Sequence, residues 1–351
     1  MKKVIIFFLS LSLFPAVFAQ NRISDKDDST GVDCSYNSFD LGSNNGGISF
    51  GNSQRWNGIR FNFSDCGIQT INGINVTFWN PGRNPNSSIN GIALGLAPSG
   101  AKMRGLAIGA AAVVATEDMT GLSIGGLAVV SAGSSKGINI GGLAVVADGD
   151  LRGINFGGLA VVANGDAYGF NLGGAAVVSN KDLFGFNFGG LAAVANGNLR
   201  GINIGGIASV SNENMTGINM GGIAVVANGD LTGINIGGVA VVGAGNITGL
   251  SAAIGAVVSK GMIKGINFAG YKTEADKFKG INIACGWSEI IDFKGVSFSG
   301  YNCITGTQTG LVIGLFNSAE ELHGIQIGLL NIAKNNSGIA KILPFFNFHF
   351  D

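Results

Sequence analysis

The chain repeats itself every sixteen residues, and no other feature narrows its folding options so far. Written from Gly137, the units read GINIGGLAVVADGDLR, GINFGGLAVVANGDAY, GFNLGGAAVVSNKDLF, GFNFGGLAAVANGNLR, GINIGGIASVSNENMT, GINMGGIAVVANGDLT and GINIGGVAVVGAGNIT. Unit-opening glycines fall at 105, 121, 137, 153, 169, 185, 201, 217, 233, 249 and 265 without a slip. The interval then shortens to fifteen, at Gly280, Gly295 and Gly310, and to fourteen, at Gly324 and Gly338. Looser units open at Gly58, Gly73 and Gly91. A chain of this kind must bury each unit against copies of itself.

Each unit carries two short apolar runs, G-I-N-I and L-A-V-V-A, separated by Gly-Gly and closed by a polar A-N-G-D segment. β-Branched residues dominate and helical spacing is absent, so both runs read as β. Gly-Gly reads as a bend requiring positive φ. Asn-Gly and Asp-Gly read as tight turns.

Two architectures accept such a unit. In a parallel β-solenoid each sixteen-residue unit is one coil. In an antiparallel outer-membrane β-barrel each unit is one strand, and Asn-Gly makes the hairpin. The period favours the coil. Barrel turns alternate between short turns at one end and long loops at the other. The turns ANGD, SNKD, ANGN and SNEN show no two-step alternation. Equal strands joined by equal turns also accumulate no shear, which closure demands. The strict block has one Tyr, Tyr168, and no Trp, where a lipid-facing barrel carries aromatic girdles. A barrel would further place Leu159 or Val161 in a watery lumen. The expected fold is therefore an all-β parallel solenoid, with Ile154 and Phe156 pointing inward and Leu and Val of the second run facing them.

Stacking gives particular rows a meaning. Asn139, Asn155, Asn171, Asn187, Asn203, Asn219 and Asn235 share one phase. Amides at the ~4.8 Å strand spacing can donate and accept along a structural ladder. Ser251 interrupts it, and Asn267 and Asn282 resume. At the turn, Asp150, Asp166, Asp182, Asn198, Asn214, Asp230 and Asn246 form another row. A calcium ladder is one reading of that row. A solvated turn fits better, because the G-G-x-G-x-D nonapeptide spacing is missing.

The ends differ from the middle. Residues 1–19, MKKVIIFFLSLSLFPAVFA, combine a Lys2-Lys3 start, an apolar stretch and a small-residue site before Gln20. That is the pattern of a cleaved signal peptide, and the apolar stretch is shorter than the ~20 residues a membrane span needs. Residues 20–57 read as an N-terminal cap or a disordered lead-in, 58–338 as the repeat domain, and 339–351 as a C-terminal aromatic cap strand. In the last of these Phe346, Phe348 and Phe350 alternate after Pro344. The same strand also fits an outer-membrane assembly signal. Export permits disulfides. The four cysteines allow three pairings, with Cys34 joined to Cys66 and Cys285 to Cys303 as the local choice.

Little points to chemistry. The charge balances at 21 basic and 21 acidic residues, which argues against a nucleic-acid partner. Two His, no CxxC, no phosphate-binding glycine motif and no G-x-S-x-G leave no catalytic, metal or cofactor residue to assign. His323 and His349 read as surface or capping residues. Glycosidases on β-helices use paired carboxylates, but Glu274 with Asp276, Glu320 with Glu321, and Glu117 with Asp118 sit in charged runs that suit a solvated face. Tyr271, Trp287 and Tyr301 occupy nearby phases in successive units. They form a candidate aromatic contact strip for sugars, or an edge cluster over the core. Ala160, Ala176, Ala192 and Ala208 make a small apolar row suited to self-association.

The order GINIGGLAVVANGDL-type repeats, GINFAGYKTEADKFKGINIACGWS, GTQTGLVIGLFNSAEELHGIQIGLLNIAKNN and the closing LPFFNFHF resembles a family of bacterial surface-repeat proteins, mostly uncharacterised. The resemblance covers about 58–351. It implies a surface or outer-membrane location in a Gram-negative cell and no defined activity. More loosely, short apolar runs alternating with Gly are similar to trimeric autotransporter adhesin heads, without the coiled-coil stalk. The expected function is that of an exported, non-enzymatic surface or structural protein. It would present regular β faces to a glycan, a protein or another copy of itself, with no cofactor. An outer-membrane pore or transport protein and a β-helix carbohydrate-active enzyme are the alternatives.

Overall fold

A computed structural model describes residues 34–350, apart from Asn80 and Arg83. The signal segment expected over 1–19 lies outside the described residues. Every repeat lies in one compact unit, Ser35–Asp351.

In the strict block each unit forms a seven-residue and a four-residue strand, such as Leu151–Gly157 and Ala160–Ala163. Leu151–Gly157 pairs in parallel with Ala167–Gly173, and Ala160–Ala163 pairs in parallel with Ala176–Ser179. Asn155 therefore lies beside Asn171, one circuit away. The same step of sixteen runs without a break from Gly105 to Gly265. The fold is a parallel β-solenoid. A hairpin barrel is excluded, because the backbone does not reverse at Asn164-Gly165 but turns a corner into the next parallel strand. Beyond Ala269, strand pairing continues around the corners as one element, Lys272–Ala333.

Antiparallel strands close both ends. Ser38–Ser43 pairs antiparallel with Gly46–Gly51, which itself joins Arg55–Asn62 in parallel. The stack thus begins at Gly46 rather than at 58. At the other end, Ile342–His349 runs antiparallel along Gly324–Ile332. Each closing strand satisfies backbone groups that an open sheet edge would leave free.

The expected inward orientation holds for Val161 but is reversed for Ile154, Phe156 and Leu159. Ile154 is 47% exposed and Phe156 42%, while Asn155 between them is fully buried. On the second strand Leu159 is 55% exposed, and Val161 and Ala163 are buried. The inward column set per coil is therefore Leu151, Asn155, Gly157, Val161 and Ala163. A sixteen-residue circuit encloses a narrow space. A self-satisfied amide, small side chains and one apolar column that includes Leu151, Leu183 and Leu199 fill it, and the remaining Ile, Phe and Leu of each coil stand outside.

Two glycine roles also separate. Gly153 opens its unit at φ 116°, and a Cβ there would strike the carbonyl oxygen of Gly137 on the rung below. Contrary to expectation, Gly157 and Gly158 do not have positive φ. They are required for close approach instead. A Cβ on Gly157 would meet the Ala160 carbonyl, and one on Gly158 would meet the Gly142 carbonyl.

Candidate contact faces and the internal polar column

The seven Asn side chains from Asn139 to Asn235 form a continuous buried chain of amide hydrogen bonds. The Nδ2 of each of the first six donates to the Oδ1 of the next rung at 2.8–2.9 Å. Ser135 Oγ caps the first acceptor, donating to Asn139 Oδ1 at 2.8 Å. Successive amide dipoles then align and polarise one another. At Ser251 the chain breaks. Asn235 Nδ2, Ser251 Oγ and Asn267 Oδ1 are all buried without a hydrogen-bond partner.

Bonding resumes at Asn267, which donates to Asn282 at 2.9 Å. It then crosses to the second strand. Asn282 donates to Ser297, Ser297 to Asn302, Asn302 to Asn317 and Asn317 to Asn331. The last three Asn escaped the sequence reading because they sit at a different phase of the shortened units. Their own regular spacing of fifteen and fourteen residues was the available signal.

The same internal column extends toward the N-terminus through Asn75, Arg60 and Ser49. Arg60 is fully buried and forms an ion pair with Asp65. Its guanidinium also donates to Asn75 Oδ1 (2.7 Å), Asn52 Oδ1 (3.0 Å) and Ser53 Oγ (3.1 Å). Asp65 in turn accepts from Asn62 and Asn75, each at 2.8 Å, and from Thr77. Burial pushes the Asp65 carboxyl up, but Arg60, Thr77 and Asn75 together outweigh it and hold the group below its ordinary value. Arg60 stands two residues after its opening glycine, the phase of Asn155. That position marked it as internal, and its charge concealed it.

At the turns, Asp150, Asp166 and Asp182 each accept the backbone N–H of the next rung, at 2.7–3.0 Å. The Asp150 carboxyl is held low chiefly by the Asp166 N–H, with Arg152 adding to the effect. One oxygen of each carboxylate is thus committed to the fold, and Asn198 takes the place of a further Asp in the row. A second, exposed amide ladder runs beside it. Asn164 donates to Asp148, Asn180 to Asn164, Asn196 to Asn180, Asn212 to Asn196 and Asn228 to Asn212.

Cys34 and Cys66 are disulfide-bonded, whereas Cys285 and Cys303 are free thiols. The expected second bridge is therefore absent. The residue stacked over Cys285 is Gly300, whose Cβ would meet the Cys285 carbonyl. Cys303 lies three positions further along that rung and faces a different neighbour.

Tyr271, Trp287 and Tyr301 do come together on neighbouring rungs. The Trp287 N–H donates to the Tyr271 carbonyl at 2.8 Å, and the Trp287 and Tyr301 rings lie 5.8 Å apart. Lys272 Nζ sits 5.1 Å over the Trp287 ring and bridges Glu274 and Glu289, both at 2.8 Å. Trp287 is thus engaged by Tyr301 and by an ammonium, and all three rings remain exposed. Of the six carboxylates singled out for catalysis, three pair with lysines, Glu274 with Lys272, Glu117 with Lys102 and Glu320 with Lys334, while Asp118 accepts the Ser134 N–H and Glu321 the Thr307 hydroxyl. The ring of His349 on the closing strand meets that of His323, in Lys272–Ala333, edge-on at 6.1 Å.

The largest surface feature is apolar. On the outer side of the short strands, one half-buried row reads Ala at 112, 128, 144, 160, 176, 192, 208, 224, 240 and 256, of which Ala208 and Ala224 are buried. The row beside it reads Val at 114, 130, 146, 162, 178, 194, 210, 226, 242 and 258. An exposed corner of Leu127, Leu143, Leu159, Leu191, Ile207, Ile223 and Val239 adjoins them. The Ile154 and Phe156 rows continue around the next face. Exposed polar residues lie at the turn edge and at the start of the long strands, as at Lys136, Arg152 and Arg200.

No protein-family model matches this chain, and none of the curated proteins or solved structures compared with it matches either.

Proposed function

We propose that this protein is a non-enzymatic, exported surface or structural protein that works by contact through its regular β faces. One observation carries the reading. The Ala and Val rows run across ten rungs without a polar residue, on the outside of the solenoid. Monomeric proteins rarely expose apolar patches beyond ~300–600 Å², and larger ones mark interaction sites. The lysine-held carboxylates favour contact over glycoside chemistry. The signal-like residues 1–19 and the resemblance to bacterial surface-repeat proteins support a location at the cell surface or outer membrane.

Display of the full chain on a bacterium tests this. Cells carrying it should adhere to one another or to a surface more than cells without it. Replacing Val162, Val178 and Val194 by Lys should remove that gain at equal display level. Adherence unchanged by the three substitutions refutes the proposal.

A further inference from the structure

We infer that the Ala/Val face is an interface between two copies of this chain, packed sheet on sheet about a two-fold axis. The inference rests on the contact reading above and names its partner.

The area fits. Ten rungs at ~4.8 Å give a length of ~48 Å, and four residues at ~3.3 Å give a width of ~13 Å. With the Leu and Ile corner row the footprint reaches about 800 Å². A stable interface of standard size needs about that much from each partner.

The relief fits a copy better than a bilayer. Ala and Val alternate along each strand and repeat identically from rung to rung, so the face is a set of straight ridges and furrows. Such a surface is complementary to another with the same rung spacing, and a second copy has that spacing by construction. Facing ridges can interdigitate in a dry layer, as paired sheets do. Fluid acyl chains have no matching period. The neighbouring Ile154 and Phe156 rows lack this regularity, reading Ile, Phe, Leu, Phe, Ile and Met from position 140 to 220.

The face also has defined limits. The rung after Ala256 and Val258 places Lys272 and Glu274 in the same two rows. Before Val114 the row holds Ser99, next to Pro98. Sliding one copy along the other would bury the Lys272, Glu274 and Glu289 cluster or lose covered rungs. Full overlap therefore selects one register, with the two-fold axis between the rungs of Ala176 and Ala192. Val178 and Val194 flank that axis, and residues near Val114 on one copy lie over those near Val258 on the other.

Sedimentation velocity of the exported chain tests the assignment. It should sediment at twice the monomer mass at micromolar concentration. Val178→Lys with Val194→Lys should weaken the dimer by about 100-fold or more, with the β-type circular dichroism and melting unchanged. Ile154→Lys with Ile202→Lys, on the other face, should leave the dimer intact. A monomeric wild-type chain overturns the inference, as does a dimer that survives the Val substitutions or dissolves with the Ile ones. A monomer that floats with phosphatidylcholine vesicles assigns the face to lipid and also overturns it. In either monomeric case the adherence assay still decides the contact reading separately.

Discussion

Ser251→Asn should stabilise the protein, although it inserts a larger polar side chain into a fully buried site. Three groups at this rung now lack partners: Asn235 Nδ2, Ser251 Oγ and Asn267 Oδ1. An Asn at 251 would accept from Asn235 and donate to Asn267, continuing the bonds of 2.8–2.9 Å found on the rungs below. Each stranded buried group costs ~1–3 kcal/mol. Ordering an Asn in place of Ser costs ~1 kcal/mol of rotamer freedom. A trapped water would already meet part of the demand, so the lower half of the range applies. Three groups at about 1 kcal/mol each, less that rotamer entropy, leave a net gain of about 2 kcal/mol. Space is available, because Asn267 with Ala269 and Asn282 with Ala284 already combine the Asn with the Ala that follows at 253. Native-state hydrogen exchange should show protection on the strands Leu231–Gly237, Ile247–Ala253 and Met262–Ala269 rising roughly tenfold to a hundredfold. Asn187→Ala is the converse. It strands Asn171 Nδ2 and Asn203 Oδ1 and should cost about 2–4 kcal/mol. If Ser251→Asn leaves exchange unchanged or accelerates it while Asn187→Ala is harmless, the amide column is not what orders the coils.

Three further outcomes are expected. Gly153→Ala should destabilise by about 1–3 kcal/mol, read in urea unfolding, because φ 116° is hostile to a side chain and the Gly137 carbonyl fills the space. Arg60→Leu should cost about 3–5 kcal/mol by leaving Asp65 buried without its cation, and an unchanged denaturation midpoint would contradict the buried ion pair. Acid should open the N-terminal coils. The Asp65 pKa is lower folded than unfolded, so its contribution is complete above the ordinary carboxylate range and is lost as pH falls below about 4 through the folded value. Fluorescence of Trp56, buried with its Nε1 donating to the Gly47 and Ile59 carbonyls, should report that loss, and Asp65→Asn should flatten its pH dependence.

The spacing of Asn155 to Asn171 made the coil legible, because only a circuit of constant length keeps one residue type beside itself. The lateral ladder followed from the same count. What the sequence concealed was direction. An alternation such as Gly-Ile-Asn-Phe tells that two sides of a strand differ, not which side faces in. The usual inference sends Ile154 and Phe156 to the core, since burying apolar area is the main driving force of folding. Two conditions defeat it here. The enclosed space is already filled by the columns that contain Leu151 and Val161, and stacked amides satisfy one another without water. An internal Asn therefore costs little, while the displaced apolar rows keep their driving force and present it outward. Arg60 was hidden by the same inversion, since an inward arginine contradicts every composition rule until its four polar partners are seen. The outward rows thus carry the argument from fold to function. A chain that buries asparagine and leaves ten valines half-buried in a line at its surface keeps apolar area for association, and the Ala/Val face is where that area is flattest and most nearly self-complementary.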